Sequence, residues 1–162
     1  MVILMYMYKS LISYSDSIMI KATPKEVYEA LADITNMGNF SPVCKECYFE
    51  TDNHGVGGWF VGKNVTPERS WETRSQITVA NPGKEFTFIV NGDRVQWGYK
   101  IEPFGEMTQL TEEWIVLEAW QRLYEERFGS NSDIKSALQD RLETAQAGIR
   151  DTLQAIKAYL EK

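Results

Sequence analysis

Histidine occurs once in this chain, at position 54, and cysteine twice, at positions 44 and 47. A structural zinc site needs about four ligands, and a hydrolytic triad needs a histidine beside an activated nucleophile. The composition offers neither, and no serine nucleophile motif accompanies His54, which stands between Asn53 and Gly55 in a turn sequence. His54 therefore reads as a surface turn residue. Positive charge is in deficit too: 17 basic residues against 23 acidic ones give a net charge of −6, with no basic run. Nucleic acid and anionic membrane are poor partners for such a surface. Residues 1–8 are apolar but too short to span a bilayer, so no integral membrane association is expected. They also lack a preceding basic stretch and a small-residue cleavage site, so they do not read as a signal peptide. We expect residues 1–12 to be an N-terminal extension, either a β extension or sequence from an upstream start, and the protein to be cytoplasmic.

What is present is an ordinary apolar fraction of 43%, enough for one core in a chain of 162 residues, and an aromatic fraction of 12%. Most of the five tryptophans fall in the middle of the chain, where large flat side chains suit a wide core or an apolar pocket. The last thirty or so residues carry the clearest pattern. Leu138, Leu142, Ala145, Ile149, Leu153, Ile156 and Leu160 recur at spacings of three and four, the stripe of a long amphipathic helix over 132–162. Asp133 is the expected cap, and Gly148 the one weak position, costing about 1 kcal/mol against alanine.

Upstream, residues 13–23 read as a strand. Thr23-Pro24-Lys25-Glu26 is a helix start with the features of a capping box, and Met37-Gly38-Asn39 is the expected end of that helical region. The period then changes to two. Six strands are expected at 43–50, 59–66, 71–80, 85–91, 94–102 and 108–117, divided by turn signals such as Asn81-Pro82-Gly83 and Asn91-Gly92-Asp93. Joins this short make an antiparallel meander. Residues 119–128 read as a short helix or lid. The fold class is α+β: a curved antiparallel seven-stranded sheet wrapped around the long C-terminal helix, with short helices after the first strand.

Alternation sorts the strand residues into faces. Trp71, Thr73, Ser75, Ile77 and Val79 share one side, as do Phe86, Phe88 and Val90; Trp97, Tyr99 and Ile101; and Leu110, Glu112, Trp114 and Val116. Glu112 is the exception among them. A carboxyl facing inward among tryptophans must pair with a base, accept hydrogen bonds or rise in pKa. Arg94 or Tyr99 is the expected structural partner, and a raised pKa would suit acid/base work. Cys44 and Cys47 make a lone C-x-x-C on an expected strand. There i and i+3 point to opposite faces, so two unrelated reduced thiols are expected. Gly57 to Asn64 nearly matches a phosphate-binding loop, but asparagine replaces the final hydroxyl residue and no helix follows. Gly62 reads instead as a strand glycine that allows a close approach.

Several phrases together resemble a known superfamily. They are Ala22-Thr23-Pro24-Lys25-Glu26-Val27-Tyr28, Asn39-Phe40-Ser41-Pro42, Phe60-Val61-Gly62-Lys63-Asn64, Trp71-Glu72-Thr73, Asn81-Pro82-Gly83-Lys84-Glu85-Phe86 and Leu110-Thr111-Glu112-Glu113-Trp114. The chain resembles the START-like (SRPBCC), or helix-grip, superfamily and within it the small single-domain polyketide cyclase/dehydrase-like proteins. The likeness implies one START-like domain over 13–162. It also implies a cavity between sheet and last helix for a small or medium hydrophobic molecule: a lipid, a polyketide or an aromatic metabolite. The cavity walls would be Trp71, Phe86, Phe88, Trp97, Tyr99 and Trp114. Glu112 and Asn64 would be polar poles, and Thr73 and Ser75 further inward polar candidates. One alternative is a cyclase/dehydratase using Glu112 as acid/base, and another is a protein-interaction module without a ligand. No metal or other cofactor is implied, and a monomer or weak homodimer is expected.

Overall fold

The computed structural model describes residues 9–129 and 131–162. The N-terminal stretch read as a β extension falls largely outside them. A one-turn helix α1 (Lys9–Ile12) leads into β1 (Ser13–Ile20), and Ile12 is already part of the core. Thr23 then starts α2 (Pro24–Ala32) with both halves of the expected capping box. The Glu26 amide donates to Thr23 Oγ1 at 3.2 Å, and the Thr23 amide donates to Glu26 Oε2 at 2.8 Å. The helix ends at Ala32 because Asp33 turns extended and its side chain accepts from the Thr35 amide, opening a 3₁₀ turn (Ile34–Asn36). Met37-Gly38-Asn39, expected to close the helix, instead belongs to a further helical turn, α3 (Met37–Phe40).

The strands β2 (Cys44–Phe49), β3 (Trp59–Val65), β4 (Ser70–Asn81), β5 (Glu85–Val90), β6 (Val95–Phe104) and β7 (Met107–Val116) follow as the expected meander. All pairings are antiparallel, and the sheet order is β1-β7-β6-β5-β4-β3-β2, with β1 returning to close against β7. Between β5 and β6, Asn91 (φ 53°) and Gly92 (φ 81°) both take left-handed backbone, a conformation these two residue types accept most readily. After β7 come α4 (Glu118–Phe128) and the 30-residue α5 (Asn131–Leu160). Asp133, expected as the cap of α5, lies inside its first turn, where its charge still opposes the helix dipole favourably.

The stripe on α5 meets the inner face of the sheet. Leu138, Leu142, Ala145, Ile149, Leu153 and Ile156 are all buried, joined by Ile134 and Thr152. The C-terminal end of α5 is tied to β1 by polar contacts. Lys157 Nζ donates to the Met19 carbonyl at 2.7 Å, and Glu161 accepts from the Lys21 amide at 2.8 Å. This is the helix-grip arrangement: a curved antiparallel sheet holding one long helix.

Two β-bulges change the faces that simple alternation assigns. In β4 the register shifts between Ile77 and Val79, making Thr78 the extra residue. Val79 therefore pairs with Thr87 on the outer face, and Ala80 pairs with Phe86 on the inner one. In β2 the register shifts between Cys44 and Glu46, making Lys45 the extra residue. Cys44 and Cys47 then fall on the same face, not on opposite faces, because two residue positions now separate them where three were counted. Gly38 accommodates this bulge: a Cβ there would stand 2.6 Å from the Lys45 carbonyl oxygen.

Two stability predictions follow from this packing. Ile149→Ala should cost about 2–5 kcal/mol in urea denaturation, whereas Gln146→Ala on the exposed face should cost almost nothing. Gly38→Ala should destabilise by about 1–3 kcal/mol, because the approaching atom is backbone and cannot swing aside. Equal denaturation midpoints for Gly38→Ala and wild type would show that α3 and β2 separate freely.

Candidate functional site

Alternation along β7 turns Leu110, Glu112, Trp114 and Val116 inward, and all four are buried. Glu112 is 2% exposed, and its neighbour in register on β6 is Tyr99, 3% exposed. Tyr99 Oη donates to Glu112 Oε1 at 3.0 Å, while Glu112 Oε2 is buried without a hydrogen-bond partner. Burial pushes the Glu112 carboxyl up to about 8, the Tyr99 hydrogen bond offsetting only part of that. Burial and then the Glu112 charge push the Tyr99 phenol well above its ordinary range. Arg94, one of the two expected partners, is engaged elsewhere. It lies 3.4 Å from Asp93 and stacks 4.5 Å above the Trp120 ring. Tyr99 is the partner, so the carboxyl gains a hydrogen bond and no neutralising charge.

Of the residues expected as aromatic walls, Phe86, Phe88, Trp97 and Trp114 lie on the same face beside this pair, and Trp71 lies apart from it. Phe86 lies in register with Tyr99, Phe88 with Trp97, and Trp97 with Trp114. Phe86 and Trp114 are fully buried, Phe88 nearly so and Trp97 half-buried. Tyr28 from α2 meets Phe86 edge-on at 6.4 Å, and Phe60 meets Phe88 edge-on at 5.0 Å. Ser75 is buried on the same face beside Phe60 and Val90. The indole N–H of Trp114 is a second buried group without a partner. One patch of interior therefore holds an unused acceptor or donor on Glu112 and an unused donor on Trp114, among aromatic rings.

Asn64, Trp71 and Thr73 gather elsewhere, on β3 and β4 toward the β2 edge. Asn64 Nδ2 donates to the Gly62 carbonyl at 3.3 Å, the Trp71 carbonyl at 3.4 Å and Thr73 Oγ1 at 3.2 Å. Those bonds lie within the β3–β4 pair. Trp71 is half-buried under the Arg69 guanidinium, 4.2 Å from its ring. His54 is exposed and stacks on Phe49 at 3.6 Å. Two surface clefts, of about 550 and 540 Å³, lie outside the aromatic patch. One runs between Pro42-Val43 and the exposed side of α5, and the other lies around Ala22, Thr23 and Met107.

A family model described as polyketide cyclase/dehydrase and lipid transport matches residues 12–161. The chain belongs to this family. The Polyketide_cyc-like protein of Corynebacterium glutamicum, solved by solution NMR, is 41% identical. The match covers 92% of this chain and 91% of that one, with a TM-score of 0.69. Two more distant structures share the fold. The di-domain ARO/CYC StfQ of the steffimycin biosynthetic pathway is 15% identical with a TM-score of 0.74, over 97% of this chain and 53% of that one. Major latex-like protein 151 of Panax ginseng is 11% identical with a TM-score of 0.66, over 91% and 96%. No curated protein matches the chain.

In this polyketide cyclase/dehydrase and lipid transport family chain, the strand pattern pointed to Glu112 and its aromatic neighbours. It did not point to Tyr28, which reaches Phe86 from a helix and not from a strand. Thr108, fully buried and donating to the Ala22 carbonyl at 2.6 Å, was signalled by its place two residues before Leu110. Among the described residues, no helix is long and apolar enough to cross a membrane.

The raised carboxyl carries a linkage prediction. Between pH 4.5 and about 8 the folded chain holds a proton on Glu112 that the unfolded chain releases. That contribution is fully present below 4.5, falls as pH rises and levels off above about 8. Wild type should therefore lose stability relative to Glu112→Gln across this window, with a slope approaching the one-proton limit of about 1.4 kcal/mol per pH unit. Urea denaturation of both proteins over a pH series measures the difference. Parallel curves would mean that Glu112 ionises normally in the fold.

Proposed function

We propose that this protein binds a small or medium hydrophobic molecule, a lipid, polyketide or aromatic metabolite, between the sheet and α5. The Glu112–Tyr99 pair orients a polar group of that molecule. The observation that carries this is the unpartnered Glu112 Oε2 inside an aromatic patch. At neutral pH the carboxyl keeps its proton, and with Oε1 accepting from Tyr99 the hydroxyl sits on Oε2. A buried donor without an acceptor costs about 1–3 kcal/mol, and a ligand carbonyl would remove that cost. The family description, which includes both cyclisation and lipid transport, supports an apolar cargo carrying such a group. Asn64, Thr73 and Trp71 are secondary contacts in this reading, met by a longer ligand that reaches the β3–β4 end. Because the aromatic side chains pack as one cluster, the ligand enters by displacing some of them. The segment best able to yield is α4, which buries no residue fully. The reading takes the chain as a cytoplasmic monomer or weak homodimer without nucleic acid, as its net charge of −6 supports.

The cyclase/dehydratase reading has one specific observation in its favour, the same carboxyl. A group titrating near 8 in a dry site can take a proton from a methylene between two carbonyls and return it after the new bond forms. Binding and catalysis separate in one experiment. Native mass spectrometry of the purified protein would look for a co-purified apolar molecule. Binding of a fluorescent naphthyl ketone would then be titrated for wild type and Glu112→Gln from pH 6 to about 9. As a binding protein, wild type should bind more weakly above about pH 8, and Glu112→Gln should stay within about tenfold of the low-pH affinity at all pH values. As a cyclase, the variant should bind a poly-β-keto substrate while turnover falls by about 10²–10⁴. Ketone binding indifferent to both pH and substitution would rule out Glu112 as the pole.

A further inference from the structure

The bulge at Lys45 has a chemical consequence. Cys44 lies in register with Asn64 and Cys47 with Gly62, so both side chains leave β2 on one face. Gly62 leaves the space between them open. The point where its Cβ would stand is 3.6 Å from Cys44 Sγ and 3.8 Å from Cys47 Sγ. The two sulfurs are therefore neighbours on that face. The Cys44 thiol donates to the Glu46 carbonyl at 3.4 Å. Their exposure differs: Cys44 is half-buried on an edge strand and Cys47 is buried. Two neighbouring thiols of unequal exposure are the arrangement that two-electron thiol chemistry uses.

We propose that Cys44 and Cys47 form a reactive dithiol site for hydroperoxides, with Cys44 the attacking thiolate and Cys47 the thiol that resolves it. The adjoining Cys47 side chain, helped by the charge of Lys45, holds the Cys44 thiol below its ordinary range. The Cys44 side chain, with burial, pushes the Cys47 thiol up. The Cys44 thiolate attacks the distal peroxide oxygen. The O–O bond breaks, an alcohol departs after taking up a proton, and Cys44 becomes a sulfenic acid. Cys47 then loses its proton and attacks the Cys44 sulfur. The S–O bond breaks, water leaves and the disulfide closes. Two thiols are oxidised by two electrons, and one hydroperoxide is reduced to alcohol and water. The site lies toward the β2 edge and needs no ligand at Glu112, so it stands or falls independently of the binding role proposed above.

The test uses the full chain, wild type and the variants Cys44→Ser and Cys47→Ser, treated with one equivalent of hydrogen peroxide. Remaining thiols are alkylated and the products are measured by intact and peptide mass spectrometry. Wild type should become two hydrogens lighter, take up no alkylating agent, and revert with dithiothreitol. Its rate should exceed that of free glutathione at the same pH by about tenfold. Cys47→Ser should stop at a sulfenic acid on Cys44 that dimedone traps. Near-UV circular dichroism checks that both variants fold, and peptide mapping of wild type answers the question if either does not. A wild-type product that is a sulfinic acid, an intermolecular dimer or a sulfenic acid on Cys47 would overturn the proposal. So would a rate no greater than that of glutathione.

Discussion

A 30-residue helix with one apolar stripe cannot stay in water alone, and most of this architecture is the means of covering that stripe. A flat sheet would meet only part of it. A meander of six strands, closed by β1 beside β7, curls far enough to enclose it. Bulges at Thr78 and Lys45 add local bending where two of the strands must turn. The Lys157 and Glu161 contacts to the strand end then fix how far along the sheet the helix sits. The aromatic patch and Glu112 are consequences of this grip, because the inner face of the sheet is closed off from water there.

That exclusion sets the electrostatics. Glu112 has a hydrogen bond and no counter-ion, so burial wins over the one favourable contact and the proton is retained near neutrality. Burial, followed by the Glu112 charge, likewise raises the Tyr99 phenol. A surface carboxyl would show none of this. The chemistry of the site thus depends on how well the grip is closed, and any opening that admitted water would return Glu112 toward an ordinary acid.

Most of the fold was legible because it rests on period. The spacings from Leu138 to Ile156 gave the buried side of the helix, and the alternation Leu110, Glu112, Trp114 and Val116 gave the interior of β7. The capping box was legible because Thr23, Pro24 and Glu26 act through neighbours in the chain. What was not legible breaks period without changing composition. Nothing about Thr78 or Lys45 marks either as an extra residue in its strand, yet one sends Val79 outward and the other brings two thiols together. The division of the expected site was also hidden. Asn64 and Thr73 share the inward face, but alternation carries no distance along the sheet and so could not separate them from Glu112.

An open sheet, unlike a closed barrel, leaves two rows of unpaired backbone groups at its margins, and such rows invite other chains to add on. Both margins here are guarded. At one, the irregular spacing around Lys45 breaks the repeat that an incoming strand would need to match, with Lys45 and Glu46 exposed beside it. At the other, Asp16 lies in register with Glu112 on the inward side of β1 and remains exposed. A chain docking there would have to strip water from that carboxylate. The kink that unites the two cysteines thus also keeps one side of the molecule from serving as a template for aggregation.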